Sequence, residues 1–406
     1  MSKIDDLIKQ YCPNGVKYKE LGNIGIFYGG LSGKSKEDFK DGNCKYITYT
    51  NIYSNPALKI DIEDKVNIQN GEKQNIIQYG DVLFTGSSET PDECGFSSVV
   101  TQKIKENIYL NSFCFGFRLN DLTQFNLHFL KHLFRSYEIR KQIVGTASGV
   151  TRFNVSKKRF AKIKIPVPPL PVQEEIVKVL DAFTALEAEL EAELEARKRQ
   201  YEYYRNKLLT FDENTTGGGR IKFMQLGDVC IRQKGTPITA AVMKEINKPE
   251  APIRIFAGGN TFADVNYGDI PDKDLITKTS IIVKSRGNIG FEFYTKPFSH
   301  KNEMWSYSSK SSDIDLKFVY YYLTNNIKEF QLKAKTGKLP QISTPDTDNY
   351  LIPILPLEEQ ERIVAILDKF DSLVNDISEG LPAELTVRRQ QYEYYRNKLL
   401  TFDEAA

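Results

Sequence analysis

Gln200 to Glu213 reads QYEYYRNKLLTFDE, and Gln391 to Glu404 reads QYEYYRNKLLTFDE again without one change. A repeat of this kind fixes the architecture before any local assignment, because each copy must close the same kind of unit. Similarity extends upstream. PLPVQEEIVKVLDAF (Pro169 to Phe183) matches PLEEQERIVAILDKF (Pro356 to Phe370), IPVPPLP (Ile165 to Pro171) matches IPILPLE (Ile352 to Glu358), and VKYKELGNI (Val16 to Ile24) matches IKFMQLGDV (Ile221 to Val229). The chain is two tandem units, each a variable globular stretch followed by a long helix. At 406 residues it is too long for one core and right for two.

The helices carry a seam. Apolar or aromatic side chains, with the aliphatic stem of one arginine in each copy, recur in steps of three and four at Leu186, Leu190, Leu194, Arg197, Tyr201, Tyr204 and Leu208, and at Leu373, Ile377, Leu381, Leu385, Arg388, Tyr392, Tyr395 and Leu399, as in a coiled coil. The second copy holds four extra residues between its two similar blocks, a stutter that returns the seam to one face. Gly380 and Pro382 predict a break at Ser378 to Pro382, since proline clashes with the preceding turn. The first helix spans about 57 Å at roughly 1.5 Å per residue, and a short linker, NTTGGG, follows. The expected fold is α+β. Two globular domains with mixed or antiparallel sheets are separated by two long helices in an antiparallel coiled coil, related by a pseudo-twofold, with the termini close together. The expected boundaries are 1–15 for an N-terminal helical segment (Ile4, Leu7, Ile8 and Tyr11 inward), 16–165, 166–213, 214–219, 220–352 and 353–406.

The globular stretches read as short strands and turns rich in Tyr, Phe, Thr and Val: GIFYGGLSGK, CKYITYTNIY, GDVLFTGSS, FSSVVTQ and IYLNSFCFGFRL in the first. PIRIFAGGNTF, TSIIVKSRGNIGFEFYTKPF and MWSYSSKS follow in the second. Helices are predicted over Asn126 to Val144 and Lys317 to Ala334. The loops TASGVTRFNVS (Thr146 to Ser156) and AKTGKLPQIS (Ala334 to Ser343) hold equivalent places before the proline-rich exits.

Charge separates the parts. Basic residues exceed acidic ones by seven over 16–165 and by five over 220–352, whereas each helical segment has five more acids than bases. Basic globular parts suit a polyanion. The five cysteines show no C-x-x-C spacing and read as reduced thiols, and without a long apolar run or a signal-like start the chain is expected in the cytoplasm.

No catalytic constellation emerges. The glycine pairs at Gly29 and Gly258 lack the context of a nucleotide loop, and Asp41 with Glu63, Asp64 and Lys65 is a loose nuclease pattern that solvated strand ends explain. His128 and His132, four apart, lack a third metal ligand, and His300 lacks a partner. The tyrosine clusters extend the seam through Tyr201, Tyr204 and their copies, leaving Tyr203 and Tyr394 on another face. Flanked by the acidic run EAELEAELEA, those faces suit a protein partner bound twice.

Taken together, the proline-rich exit before Q-E-x-I-V-x-x-L-D and the QYEYYR-x-x-LL helix, repeated after two dissimilar modules, resemble the specificity subunit of a type I restriction-modification system. The resemblance covers essentially the whole chain. It implies a noncatalytic subunit that binds two methyltransferase subunits, and restriction subunits in the full nuclease. Each module would read one half of a bipartite site in double-stranded DNA while the helices fix the spacer. It also implies that S-adenosylmethionine, Mg and ATP belong to partner subunits, with no cofactor, metal or membrane contact in this chain. One departure is ALEAELEAELEARKRQ in the first helix where the second has GLPAEL, so the two helices need not bend alike. The side chains expected to meet phosphates or base edges are Lys34, Lys36, Thr85, Ser87, Ser88 and Arg152 in the first module. In the second they are Arg254, Asn260, Arg286, Asn288, Lys338 and Gln341. The other class of reading is a scaffold whose basic modules bind acidic proteins.

Overall fold

A computed structural model describes residues 3–211, 221–334 and 339–405. Lys338 and the linker 214–219 lie outside them. The chain divides into two compact units, Met1–Glu191 with Glu384–Ala406, and Ala192–Ala383.

In the first unit the strands are β1 (Tyr18–Glu20), β2 (Gly25–Gly29), β3 (Cys44–Ile47), β4 (Lys65–Val66), β5 (Val82–Thr85), β6 (Ser87–Ser88), β7 (Ser97–Val99), β8 (Ile108–Leu110), β9 (Cys114–Leu119), β10 (Ala147–Ser148), β11 (Phe153–Val155) and β12 (Lys164–Pro166). The second unit has β13 (Lys222–Gln225), β14 (Cys230–Lys234), β15 (Ile253–Phe256), β16 (Phe262–Val265), β17 (Ser280–Lys284), β18 (Gly290–Tyr294), β19 (Phe298–His300), β20 (Trp305–Ser309) and β21 (Leu351–Ile354). The two lists fold alike. An antiparallel four-stranded sheet, β2-β9-β5-β7 in one and β14-β20-β17-β18 in the other, is joined by a mixed three-stranded sheet, β4-β3-β8 and β16-β15-β19, in which β3·β8 and β15·β19 are parallel. Entry and exit strands close each globular part, β1 on β12 and β13 on β21.

Register gives a residue-by-residue equivalence between the halves. Phe27 and Val82 both face Phe117, as Arg232 and Ile281 both face Tyr307. Position 81 therefore matches 280, 28 matches 233, and 118 matches 308. At this place the two halves use different chemistry. Asp81, 1% exposed, accepts hydrogen bonds from Arg118 Nε and Nη2 (2.8 and 2.7 Å), the Tyr28 hydroxyl (2.5 Å) and the Gln78 amide (2.8 Å). In the second unit Ser280 donates to Gln233 (3.0 Å), which reaches Ser308 (3.3 Å), a neutral network in the same place.

Several local expectations change. After β3 the chain turns into a helix, Tyr49–Ser54, because Thr48 caps it by accepting from the Asn51 amide. The helix expected over Asn126 to Val144 is two, Leu127–Leu133 and Tyr137–Val144. The turn between them aims Arg135 at the carbonyls of Ile52, Tyr53 and Ser97, and burial pulls its guanidinium pKa down to about 10. The helix expected over Lys317 to Ala334 likewise divides at Asn326. In the N-terminal helix Lys3–Tyr11, Ile4 is buried but Tyr11 is 46% exposed.

The first long helix runs unbroken from Leu170 to Leu209. The second is interrupted: one helix ends at Asn375 and the next begins at Leu381. Pro382 sits in the first turn of the latter, where a missing N–H costs nothing. The break falls two residues earlier than the sequence predicts. Ile377 lies within it, 85% exposed, so this position is corrected from seam to loop and the four extra residues are absorbed by the break rather than by a continuous stutter.

Within each unit the helix segments pair antiparallel. In the first, Phe183 stacks on Tyr395 (5.2 Å), and further along Glu187 and Glu191 both accept from Arg389 (2.6 and 2.5 Å). In the second, Tyr201 and Tyr204 stack on Phe370 (6.0 and 5.7 Å). Phe183 with Tyr395 and Phe370 with Tyr204 are the same pair of repeat positions. Leu194 and Leu208 pack on the second core and Leu399 on the first, while Leu186 and Leu373 stay 45% and 37% exposed.

Two buried glutamines tie the helices to the modules identically. Gln173 Nε2 donates to the carbonyls of Gln124 (2.9 Å) and Pro168 (2.7 Å), and its Oε1 accepts from the Asn126 amide (2.8 Å). Gln360 does the same with Asp313 (3.0 Å), Leu355 (2.8 Å) and the Asp315 amide (2.9 Å). About two turns of helix later, Asp181 holds Lys131 and His132 (both 2.7 Å), and Asp368 holds Lys317 (2.7 Å) and Tyr321 (2.5 Å). The buried His132 ring also meets the Tyr392 hydroxyl (2.9 Å). The first unit is closed by its chain ends. Val16 donates to Asp403 O (2.8 Å) and accepts from Ala405 (2.9 Å), and Gly15 at φ +93° passes so close that a Cβ would stand 2.8 Å from Asp403 O.

His300 is fully enclosed, donating through Nδ1 to Lys301 O (3.2 Å) with Nε2 beside Ser306 (3.2 Å), and burial depresses its pKa to about 4. The unfolded chain binds this proton more tightly than the folded one. The contribution is therefore complete above about pH 6.5 and is lost as pH falls from there to about 4. Between pH 7 and pH 5 the wild-type chain should lose about 2 kcal/mol more stability than His300→Gln in urea unfolding; equal losses would show that His300 is not buried neutral.

Candidate nucleic-acid interface

Beyond the four-stranded sheet each unit opens a cleft, and register places the two clefts at equivalent positions. In the first, β6 pairs with β11 so that Ser88 faces Phe153 and Ser87 faces Asn154, and the Val155 amide donates to Gly86 O (3.0 Å). In the second, Arg286 faces Gln341, the Gly287 amide donates to Pro340 O (2.9 Å), and the Ile342 amide donates to Ser285 O (3.0 Å). Ser87 thus matches Arg286, Asn154 matches Gln341, and Arg152 matches Leu339.

The first cleft, about 500 Å³, is lined by Tyr49, Tyr53, Ser87, Ser88, Glu89, Glu93, Phe113 and Arg152 among others. Tyr49 donates to Ser87 O (3.0 Å), while Tyr53 and Ser88 both donate to Glu93 (2.9 and 3.0 Å). Those bonds hold the Glu93 carboxyl below its usual pKa, the one from Tyr53 most of all. Arg152 donates through Nε to Ser87 Oγ (3.2 Å) and lies over the Phe113 ring (5.1 Å). The second cleft, about 480 Å³, is lined by Gly258, Gly259, Lys284, Arg286, Lys301, Glu303 and Leu339 among others. Lys284 pairs with Glu292 and Lys301 with Glu303, both at 2.8 Å.

Of the residues singled out in the sequence, Ser87, Ser88 and Arg152 come together in the first cleft, and Arg286 lies in the second with Gln341 opposite it. Lys36 is exposed at the start of a short 3-10 helix, and Asn260 and Asn288 are exposed in loops. Three placements differ from the expectation. Thr85 is fully buried with Oγ1 accepting from the Phe96 amide (2.9 Å), because the residue ends β5 facing inward. The Lys34 side chain is 6% exposed against Glu72 (2.5 Å), and its bond is the main cause holding that carboxyl at about 2. Arg254 is committed to Asp264 through two bonds (2.7 and 3.0 Å) and lies 3.9 Å over Phe262. Tyr49, Tyr53, Glu93 and Phe113 were missed. Tyr49 and Tyr53 are four apart, a helical spacing hidden in a stretch that reads as strand.

The repeated string has one surface in both copies. Tyr203 and Tyr394 are each 60% exposed, each 5.3 Å from the neighbouring tyrosine ring, and each under a lysine, Lys207 or Lys398, at 5.9 Å. Among the described residues no cluster of His, Cys, Asp or Glu is arranged to hold a metal ion, and no helix is long and apolar enough to cross a membrane.

A sequence-family profile described as the type I restriction modification DNA specificity domain matches residues 13–196 and 220–387. The chain is 31% identical over 310 residues to a Haemophilus influenzae protein provisionally named a type I restriction enzyme specificity subunit, covering 70% of this chain and 74% of that one. To the EcoR124I/EcoR124II specificity subunit of Escherichia coli it is 34% identical over 264 residues, 60% of this chain and 64% of the relative. Among solved structures, a chain of a type I R-M system described for its complex assembly and conformational transition aligns over 96% of this chain and 98% of its own, with a TM-score of 0.63 at 17% identity. The S subunit from M. genitalium aligns over 95% and 96%, with a TM-score of 0.54 at 16% identity. Two profile matches, one per repeated half, together with the shared fold, show that the chain belongs to the family of type I restriction-modification specificity subunits.

Proposed function

We propose that this chain is the noncatalytic DNA-reading subunit of a cytoplasmic methyltransferase complex. Each globular part reads one half of a bipartite site, the paired helices set the gap, and the two copies of the QYEYYR surface dock two methyltransferase subunits. Restriction subunits would join in the full nuclease, with S-adenosylmethionine, Mg and ATP on partners. One observation carries the reading: strand order and register coincide in the two halves while the cleft side chains differ, and the helix surface between them is repeated unchanged. Such a molecule presents two different recognition surfaces and one docking surface twice. Lysines and arginines supply affinity for phosphate, and cleft side chains supply discrimination.

The test is methylation-site sequencing in a host expressing the chain with its methyltransferase partner. The wild-type chain should give two fixed sequence elements separated by a constant gap. Seven residues inserted into both helices, after Glu191 and after Ala383, add about 10 Å at two near-whole turns. The gap should widen by about three base pairs at roughly 3.4 Å each, with both elements unchanged. Modification without a sequence pattern would favour the scaffold for acidic proteins, and an unaltered gap would remove the ruler role.

A further inference from the structure

The two clefts each hold one guanidinium, and it arrives from opposite strands. In the first unit the strand position beside the sheet is Ser87, and Arg152 reaches over it from the facing segment. In the second unit the equivalents are exchanged: Arg286 stands at the position of Ser87, and Leu339 at that of Arg152. Equivalent clefts thus each receive a guanidinium, although the two arginines stand at different positions of the repeat.

These two arginines also differ from the rest. Among the described arginines of the globular parts, Arg118, Arg232 and Arg254 pair with carboxylates, and Arg135, Arg140 and Arg159 are spent on backbone carbonyls. Among the described residues Arg152 donates only through Nε, with no partner at either terminal nitrogen, and Arg286 makes no hydrogen bond. Both are exposed. Each shares its cleft with a carboxylate, Glu89 and Glu93 in the first and Glu303 in the second. In the second cleft Lys284 and Lys301 are engaged by Glu292 and Glu303, and a phosphate entering the first cleft would meet the charge of Glu89 and Glu93 at close range. A neutral base edge would not, and the planar fork of a guanidinium matches the paired acceptors O6 and N7 of guanine.

We infer that Arg152 and Arg286 are equivalent specificity-determining residues, each reading a guanine from the major groove in its own half-site. This rests on the DNA-reading function proposed above. The experiment is methylation-site sequencing with R152A, R286A and the exchange S87R/R152L, each co-expressed with the methyltransferase partner. R286A should raise modification of sites lacking one guanine in one element by about ten- to a hundredfold relative to the wild-type chain, leaving the other element and the gap intact. R152A should do the same in the other element only, and S87R/R152L should restore the guanine that R152A relaxes. An even loss across all sites would make the arginines phosphate contacts. An unchanged motif, or wild-type elements without guanine, would equally overturn the inference. A wild-type chain that gives no motif at all would instead overturn the DNA-reading function. The unaltered element serves in every variant as the control for folding and assembly.

Discussion

Replacing Asp81 by alanine should cost the first unit about 3 kcal/mol, since buried donors are stranded and a partly buried guanidinium loses its partner. The side chain is 1% exposed and satisfies four donors from three other residues: two from Arg118, one from Tyr28 and one from the Gln78 amide. Without it the Tyr28 hydroxyl and the Gln78 amide are stranded, and the Arg118 guanidinium, still bonded to Ile76 O, loses its counter-charge. The equivalent change in the second unit, Ser280→Ala, removes one neutral hydroxyl and should cost about 1 kcal/mol. Urea unfolding of the two variants checks the difference. Similar costs would mean that the charge in the first network contributes no more than the neutral bonds of the second.

Much of the architecture was legible because it rests on repetition and period. The identical strings gave the two units, and the steps of three and four gave the helices, since both signals survive any change of surface. Where tertiary contacts decide, the signal was absent. The break at 376–380 is packed so closely that a Cβ on Gly380 would collide with Ser372 O, and Gly380 with Pro382 showed its neighbourhood but not its bounds. Ile377 kept the seam's spacing but not its environment. The single helices expected at Asn126 and Lys317 each divide, because an Arg135 turn and Asn326 answer to packing and not to amphipathic period.

The clefts were less legible than the fold. Polar loop residues with room to contact DNA look the same in sequence as those paired within the protein, so Lys34, Thr85 and Arg254 could not be told from Arg152 and Arg286. What separates them is a partner distant in sequence: Glu72 for Lys34, the Phe96 amide for Thr85, Asp264 for Arg254. The joining residues Gln173, Gln360, Asp181 and Asp368 were visible as repeated letters, but their role needed the backbone groups they bind.

The equivalence of those joints makes the modules exchangeable. With residues 16–165 placed in position of 221–352, Gln360 would meet the Asn126 amide and Gln124 carbonyl that Gln173 meets now. His132 would find Asp368 and Tyr201, which are the repeat equivalents of its present partners Asp181 and Tyr392. No buried donor is orphaned at these joints, so the exchanged chain should fold and assemble. Methylation-site sequencing of that chain with its partner tests the central claim, that each globular part reads its half-site alone. The account predicts the first half-site twice, in inverted orientation, across the wild-type gap. Survival of the original asymmetric site, or loss of all sequence preference from a chain that still assembles, would contradict it.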